Sequence, residues 1–102
     1  MSFKKSYLKT KPICKVTFKI TSEEAKKARE VKLVGDFNTW DEAAKPMKRL
    51  KNGGFTQTVD LPVEQSYQFR YLIDDEAWEN DWNADAYVPN GMSGDDNSVV
   101  QV

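Results

Sequence analysis

From Ile13 onward apolar side chains recur at every second position, and this period of two constrains the fold more than any other feature. A strand turns successive side chains to opposite faces, so alternation marks a sheet with one buried face and one wet face. In Cys14-Lys15-Val16-Thr17-Phe18-Lys19-Ile20 the even positions are apolar and the odd ones polar. Val31-Lys32-Leu33-Val34-Gly35-Asp36-Phe37 reads as a second strand, in which Gly35 marks a bulge or a close backbone approach. Residues 67–74 alternate most clearly. Tyr67, Phe69, Tyr71 and Ile73 face one way, and Gln68, Arg70, Leu72 and Asp74 the other. Phe55, Val59 and Leu61 share a face of a further strand, and residues 99–102 supply a last one.

Turn chemistry separates these runs. Lys51-Asn52-Gly53-Gly54 predicts a hairpin between residues 47–50 and 55–61, because Asn-Gly adopts the positive φ values a tight turn needs. Thr21-Ser22-Glu23-Glu24 is a capping-box pattern ahead of a short helical turn over 25–28. Pro62 ends a strand, and residues 89–95 have loop composition. Helical periodicity is otherwise almost missing. Aromatics at 12% and a net charge of only -1 suit a packed core rather than a self-repelling coil. The expected fold is all-β, an antiparallel sandwich of one domain over residues 13–102, preceded by a basic arm over 1–12.

Composition removes several functions. The chain has no histidine, the commonest general base and metal ligand, and its one cysteine, Cys14, faces inward with nothing to activate it. No run approaches the roughly 18 apolar residues of a membrane span, and Met1 to Lys5 leads into polar residues rather than a signal region. A soluble, cytoplasmic protein is expected. Residues 1–20 hold Lys4, Lys5, Lys9, Lys11, Lys15 and Lys19 and no acid, whereas no base follows Arg70. The arm has no arginine, and it is expected to lie against the acidic end of its own chain. Neither nucleic acid nor membrane is an expected partner.

The acids carry no evident chemistry. Glycoside hydrolysis needs two carboxyls about 5 Å or 6.5–9.5 Å apart across a cleft, and the consecutive Asp74, Asp75 and Glu76 do not give that. Asp81-Trp82-Asn83-Ala84-Asp85 opens like a calcium loop, but Ala86 replaces the required glycine and Met92 the closing glutamate. There is no glycine-rich phosphate loop. No catalytic residue, metal or cofactor is expected.

The tryptophans say more. Trp40 lies in a loop after a strand and Trp78 just past the turn that ends another, neither within an alternating run. Two readings stand. Either indole plugs an end of the sandwich, or it presents a flat apolar face to the C–H face of a pyranose ring. In the second case Arg70 and Asn97 supply donors and acceptors for sugar hydroxyls.

The same residues carry a resemblance. Val31-Lys32-Leu33-Val34-Gly35-Asp36-Phe37-Asn38-Thr39-Trp40 resembles the xVxLxGxFNxW signature of carbohydrate-binding module family 48. This is the early-set, immunoglobulin-like isoamylase N-terminal domain, also found as the glycogen-binding domain of the AMP-activated protein kinase β subunit. Residues 67–74 resemble its YxYKFxVDG strand, with Trp78 at the tryptophan that follows, and residues 97–102 its closing NNxIxV. The chain is most similar to short stand-alone bacterial members. The resemblance implies an immunoglobulin-like sandwich, a non-catalytic module, and a site for α-1,4-linked glucan (glycogen or maltooligosaccharide) in carbohydrate storage metabolism. It implies Trp40 and Trp78 as stacking residues, Arg70 at the family's lysine, and Asn97 at its asparagine. A glycogen-metabolising enzyme is an implied partner. The alternative is an accessory domain that docks to an α-amylase-superfamily enzyme, or to itself, without binding sugar. The sequence departs from the pattern in places. The turn Asp74-Asp75-Glu76-Ala77 is one residue longer, and Ser93 to Asp96 surround the positions of a leucine and a threonine. Trp82 and Tyr87 are extra aromatics, available either to replace the aliphatic contact or to join the core.

Overall fold

In a computed structural model the chain is the expected two-sheet sandwich. Residues 1–91 and 94–102 are described; Met92 and Ser93, in the 89–95 loop, lie outside them. The strands in chain order are β1 (Ser2–Tyr7), β2 (Ile13–Ile20), β3 (Val31–Gly35), β4 (Lys48–Arg49), β5 (Phe55–Pro62), β6 (Ser66–Ile73), β7 (Ala77–Glu79), β8 (Ala86–Pro89) and β9 (Asp96–Gln101). One sheet runs β1-β2-β5-β4 and the other β3-β6-β9-β8, with β7 hairpinned onto the end of β6. All these pairings are antiparallel, and no α-helix occurs among the described residues.

Alternation becomes burial. In β2, Cys14, Val16, Phe18 and Ile20 are buried while Lys15 and Lys19 are exposed. Phe18, Leu33, Phe69 and Tyr71, the expected core, are all buried between the sheets. Phe18 and Phe69 meet edge to face at 5.1 Å, and Phe3, Phe37 and Tyr71 extend the cluster. Leu72 differs from expectation. It points away from this core as the alternation requires, yet it is buried, as are Val34 and Val99. The outer face of the second sheet is therefore partly covered, and that is where the candidate site lies.

Two turns depart from their expected form. In the β4–β5 connection only Gly53 takes a left-handed φ, of 87°, and Asn52 does not. The Gly53 N–H bonds the Leu50 carbonyl and the Asn52 side chain caps the Gly54 N–H, so a wider loop replaces the two-residue turn. At 21–28 the capping box forms in both directions, between the Thr21 hydroxyl and Glu24 N–H and between Glu24 and Thr21 N–H. The chain makes a single helical turn and goes no further, because Lys26 and Lys27 go left-handed. Their N–H groups return to the Glu23 and Ser22 carbonyls in a Schellman-type closure.

Residues 2–7 of the basic arm are strand β1, paired along its length with β2. Lys5 reaches Asp85 of the acidic third at 2.7 Å. Phe3 packs on Phe18 and Phe69. Surface ion pairs contribute at most about 1 kcal/mol, whereas truncating a well-packed phenylalanine costs several. Lys5→Ala should therefore cost under about 1 kcal/mol and Phe3→Ala about 2 kcal/mol or more, measured by urea unfolding. The opposite order would mean that charge rather than packing holds β1.

Asp81, from the calcium-like pentad, is fully buried. Its carboxylate accepts the Tyr71 hydroxyl at 2.7 Å and the Asn83 N–H at 2.8 Å, and its own N–H donates to Ser98 Oγ. It braces the core instead of facing solvent. Burial, and then the Asp81 carboxylate, push the Tyr71 phenol well above the ordinary tyrosine range. The unfolded chain loses that proton near pH 10 and the native one keeps it, so stability should fall as pH rises beyond about 10. A tyrosinate absorbance titration should show Tyr71→Phe and the parent rising by the same amount while folded. A smaller rise in the variant would mean that Tyr71 ionises in the native state.

Candidate functional site

The outer face of the β3-β6-β9-β8 sheet holds the site. On β6, Gln68, Arg70 and Leu72 share this face, and the register puts Arg70 beside Val34 and Leu72 opposite Trp78 of β7. β9 adds Asn97. Trp40 arrives from the loop after β3 and stands next to Trp78, with ring centroids 6.5 Å apart and planes tilted by 55°. Trp40, Gln68, Arg70, Trp78, Asn90 and Asn97 line one cleft of about 410 Å³.

The structure thus brings together Trp40, Arg70, Trp78 and Asn97, the four residues singled out in the sequence. Trp40 is half-buried, Trp78 is 38% exposed, and neither belongs to the core between the sheets. They are not plugs at an end of the sandwich. Trp82 and Tyr87, 60% and 45% exposed, line neither the cleft nor the core.

A sequence feature explains each placement. Gly35 ends β3 against β6, where an added Cβ would lie 2.4 Å from the Gln68 carbonyl oxygen. The chain then makes a single 3₁₀ turn over Asp36–Asn38. Asn38 seals the edge of β3, accepting from the Gly35 N–H and donating to the Leu33 carbonyl. Thr39 and Trp40 both adopt left-handed φ, near 55°, which swings the indole back over the sheet. Trp78 follows a turn in which Asp74 and Asp75 are also left-handed, and Asp74 Oδ1 accepts the N–H groups of Arg29 and Glu30.

Arg70 is held rather than loose. Its Nε donates to the Asp96 carbonyl at 3.2 Å, and Nη2 lies 3.8 Å from the Asp95 carboxylate. Those contacts leave Nη1 donors for a ligand. Asn97 Nδ2 donates to Gln68 Oε1 at 3.0 Å, which leaves an acceptor on Asn97 and donors on Gln68. Gln68 and Asn90 were missed as site residues. The signal for Gln68 was present, because it shares the outward set of β6 with Arg70. Asn90 sits in loop sequence that alternation does not place. The cleft therefore offers two apolar planes and several neutral or cationic hydrogen-bonding groups. Among the described residues no cluster of histidine, cysteine or acidic side chains is arranged to hold a metal.

A two-sheet antiparallel sandwich carrying an indole-walled cleft with amide and guanidinium groups is a ligand-binding β-sandwich in class. The family model for carbohydrate-binding module 48 (isoamylase N-terminal domain) matches residues 11–88, and the chain belongs to that family. Its fold is the immunoglobulin-like early set, and the family is one of non-catalytic carbohydrate-binding modules. The matched range includes Trp40, Arg70 and Trp78 and stops before Asn90 and Asn97. No curated protein sequence matches the chain.

Proposed function

We propose that this cleft binds α-1,4-linked glucan of the glycogen or starch type, and that the chain is a targeting or sensing module of storage-polysaccharide metabolism with no catalysis of its own. The observation that carries the reading is the Trp40–Trp78 pair, tilted by 55° at 6.5 Å. A flat glycan favours coplanar stacking surfaces. Successive rings of an α-1,4 chain turn relative to one another, and two tilted indoles suit that curvature. Arg70, Gln68, Asn90 and Asn97 line the same cleft and suit hydroxyls, which both donate and accept. A small platform that must order a flexible chain binds weakly, in about the micromolar-to-millimolar range.

Calorimetric titration with a maltooligosaccharide should show saturable binding, and a β-1,4-linked glucose oligomer of equal length should bind much more weakly. Equal affinity for both would remove the curvature reading. No binding of either at millimolar ligand would favour the docking alternative, in which the cleft meets a protein surface.

A further inference from the structure

The reading of the cleft as a binding site leaves one well-placed group unused. Asp36 opens the 3₁₀ turn after β3, and both of its carboxylate oxygens are engaged. Oδ1 accepts the Trp40 indole N–H at 2.9 Å, and Oδ2 accepts the backbone N–H of Gln68 at 2.7 Å. The second contact has a clear cause. Gly35, opposite Phe69, is the last residue of β3 to pair with β6, so Gln68 lies one position beyond the ladder. Its N–H on that side meets the Asp36 carboxylate instead of a strand carbonyl.

We propose that Asp36 is the positioning residue of the Trp40 platform, tying the indole to the strand that carries Gln68 and Arg70. The proposal rests on the binding reading above. Charge-assisted hydrogen bonds are short and roughly twice as strong as neutral ones, and here one carboxylate makes two. The backbone of Trp40 is already fixed by its left-handed φ and by its N–H bond to the Gly35 carbonyl at 2.9 Å. Asp36 fixes what remains, the side-chain torsions that set the tilt against Trp78. Ordering this ring before the ligand arrives removes a cost that binding would otherwise carry. The Trp40 N–H is consumed in the process, so Trp40 presents ring faces and no donor. Hydrogen bonding to the ligand then falls to Arg70, Gln68, Asn90 and Asn97.

The experiment compares Asp36→Asn with the parent protein, and with Tyr71→Phe as a variant altered on the opposite, core face of the same sheet. An asparagine has one neutral acceptor where the site presents two donors, and its amide N–H opposes the second of them, so the bidentate, charge-assisted hold on the ring is lost. Circular dichroism of the ligand-free protein should show an exciton couplet from the Trp40–Trp78 pair. Asp36→Asn should lose most of it, and Tyr71→Phe should keep it. Affinity for a maltooligosaccharide, measured well below each melting temperature, should fall about two- to tenfold in Asp36→Asn, the factor expected when the ring has to be ordered by the ligand. In the unaltered protein, the Trp40 indole N–H, 2.9 Å from Asp36, should exchange with solvent more slowly than that of the more exposed Trp82, whose contact to Glu79 is stretched to 3.5 Å. This NMR measurement needs no variant to fold. A retained couplet, a rapidly exchanging Trp40 N–H, or undiminished affinity in Asp36→Asn would each overturn the proposal. If the parent binds no glucan but the couplet still collapses in Asp36→Asn, the glucan reading fails and the positioning of Trp40 by Asp36 stands.

Discussion

Gly35→Ala should destabilise the protein by about 3 kcal/mol or more, a large share of the 5–15 kcal/mol typical of a small domain. Gly35 has φ of -174°, an extended conformation open to any residue, so backbone strain plays no part. The problem is space. An added Cβ would lie 2.4 Å from the Gln68 carbonyl oxygen, 2.7 Å from Phe69 Cβ and 2.9 Å from Phe69 Cα. Two of these three atoms are backbone, so no rotamer change relieves the overlap, and β3 must move off β6. That displacement pushes Phe69 into Phe18, Phe37 and Tyr71, and it draws Asp36 away from the Gln68 N–H. Urea unfolding of the variant is the measurement. A loss below about 1 kcal/mol would show that the strand pair can spread, and that close approach at Gly35 is not required.

The fold was legible wherever a period of two could be read against a single buried face. β2 and β6 announce themselves because the lysines of β2 and the polar residues of β6 interrupt their apolar sets at alternate positions. Leu72 misled for the converse reason. Alternation correctly turns it outward, but it cannot report that β7 pairs beside β6 and sets Trp78 opposite Leu72 on that face. The hairpin at Asn52-Gly53 was placed correctly and shaped wrongly. The dipeptide marks positive φ, but the number of loop residues taking it depends on the register of β4 against β5. Asp81 looked like the start of an ion site because local spacing cannot reveal a Tyr71 hydroxyl beneath it. Within the cleft, Trp40 and Trp78 stood out because neither fitted an alternating run. Gln68 shared an outward set with Arg70 and passed unnoticed, since an amide facing solvent is unremarkable until Asn97 of β9 is brought against it. Asp36 was hidden similarly. Its two partners are the Trp40 side chain in its own turn and a backbone donor on β6, and only the fold brings them to one carboxylate.

The double variant Trp40→Ala, Trp78→Ala should weaken glucan binding by roughly a hundredfold or more while leaving a cooperatively folded protein. Stacked rings in nucleic-acid complexes contribute about 1–3 kcal/mol each, and by physical analogy two indoles account for roughly a hundredfold or more in affinity. A ligand that binds the parent in the micromolar-to-millimolar range is then weakened to about the hundred-micromolar range or beyond, a shift that calorimetric titration reads directly. The fold should survive because neither indole contributes to the core between the sheets, although Leu72 loses its cross-strand neighbour on the outer face. That exposure should cost about 1–2 kcal/mol by apolar area, visible as a lowered but still sharp thermal transition. The single substitutions should not sum to the double. The ring centroids are 6.5 Å apart, and removing Trp78 leaves Trp40 without its aromatic neighbour while its tether to Asp36 persists. Trp78→Ala should therefore weaken binding less than Trp40→Ala, Trp78→Ala does, by a factor that measures the platform Trp40 still offers. Trp82→Ala is the control: at 60% exposure and outside the cleft, its loss should leave affinity unchanged. Undiminished binding in the double variant, or a loss in Trp82→Ala equal to that of Trp78→Ala, would place the glucan on a different surface of the sandwich.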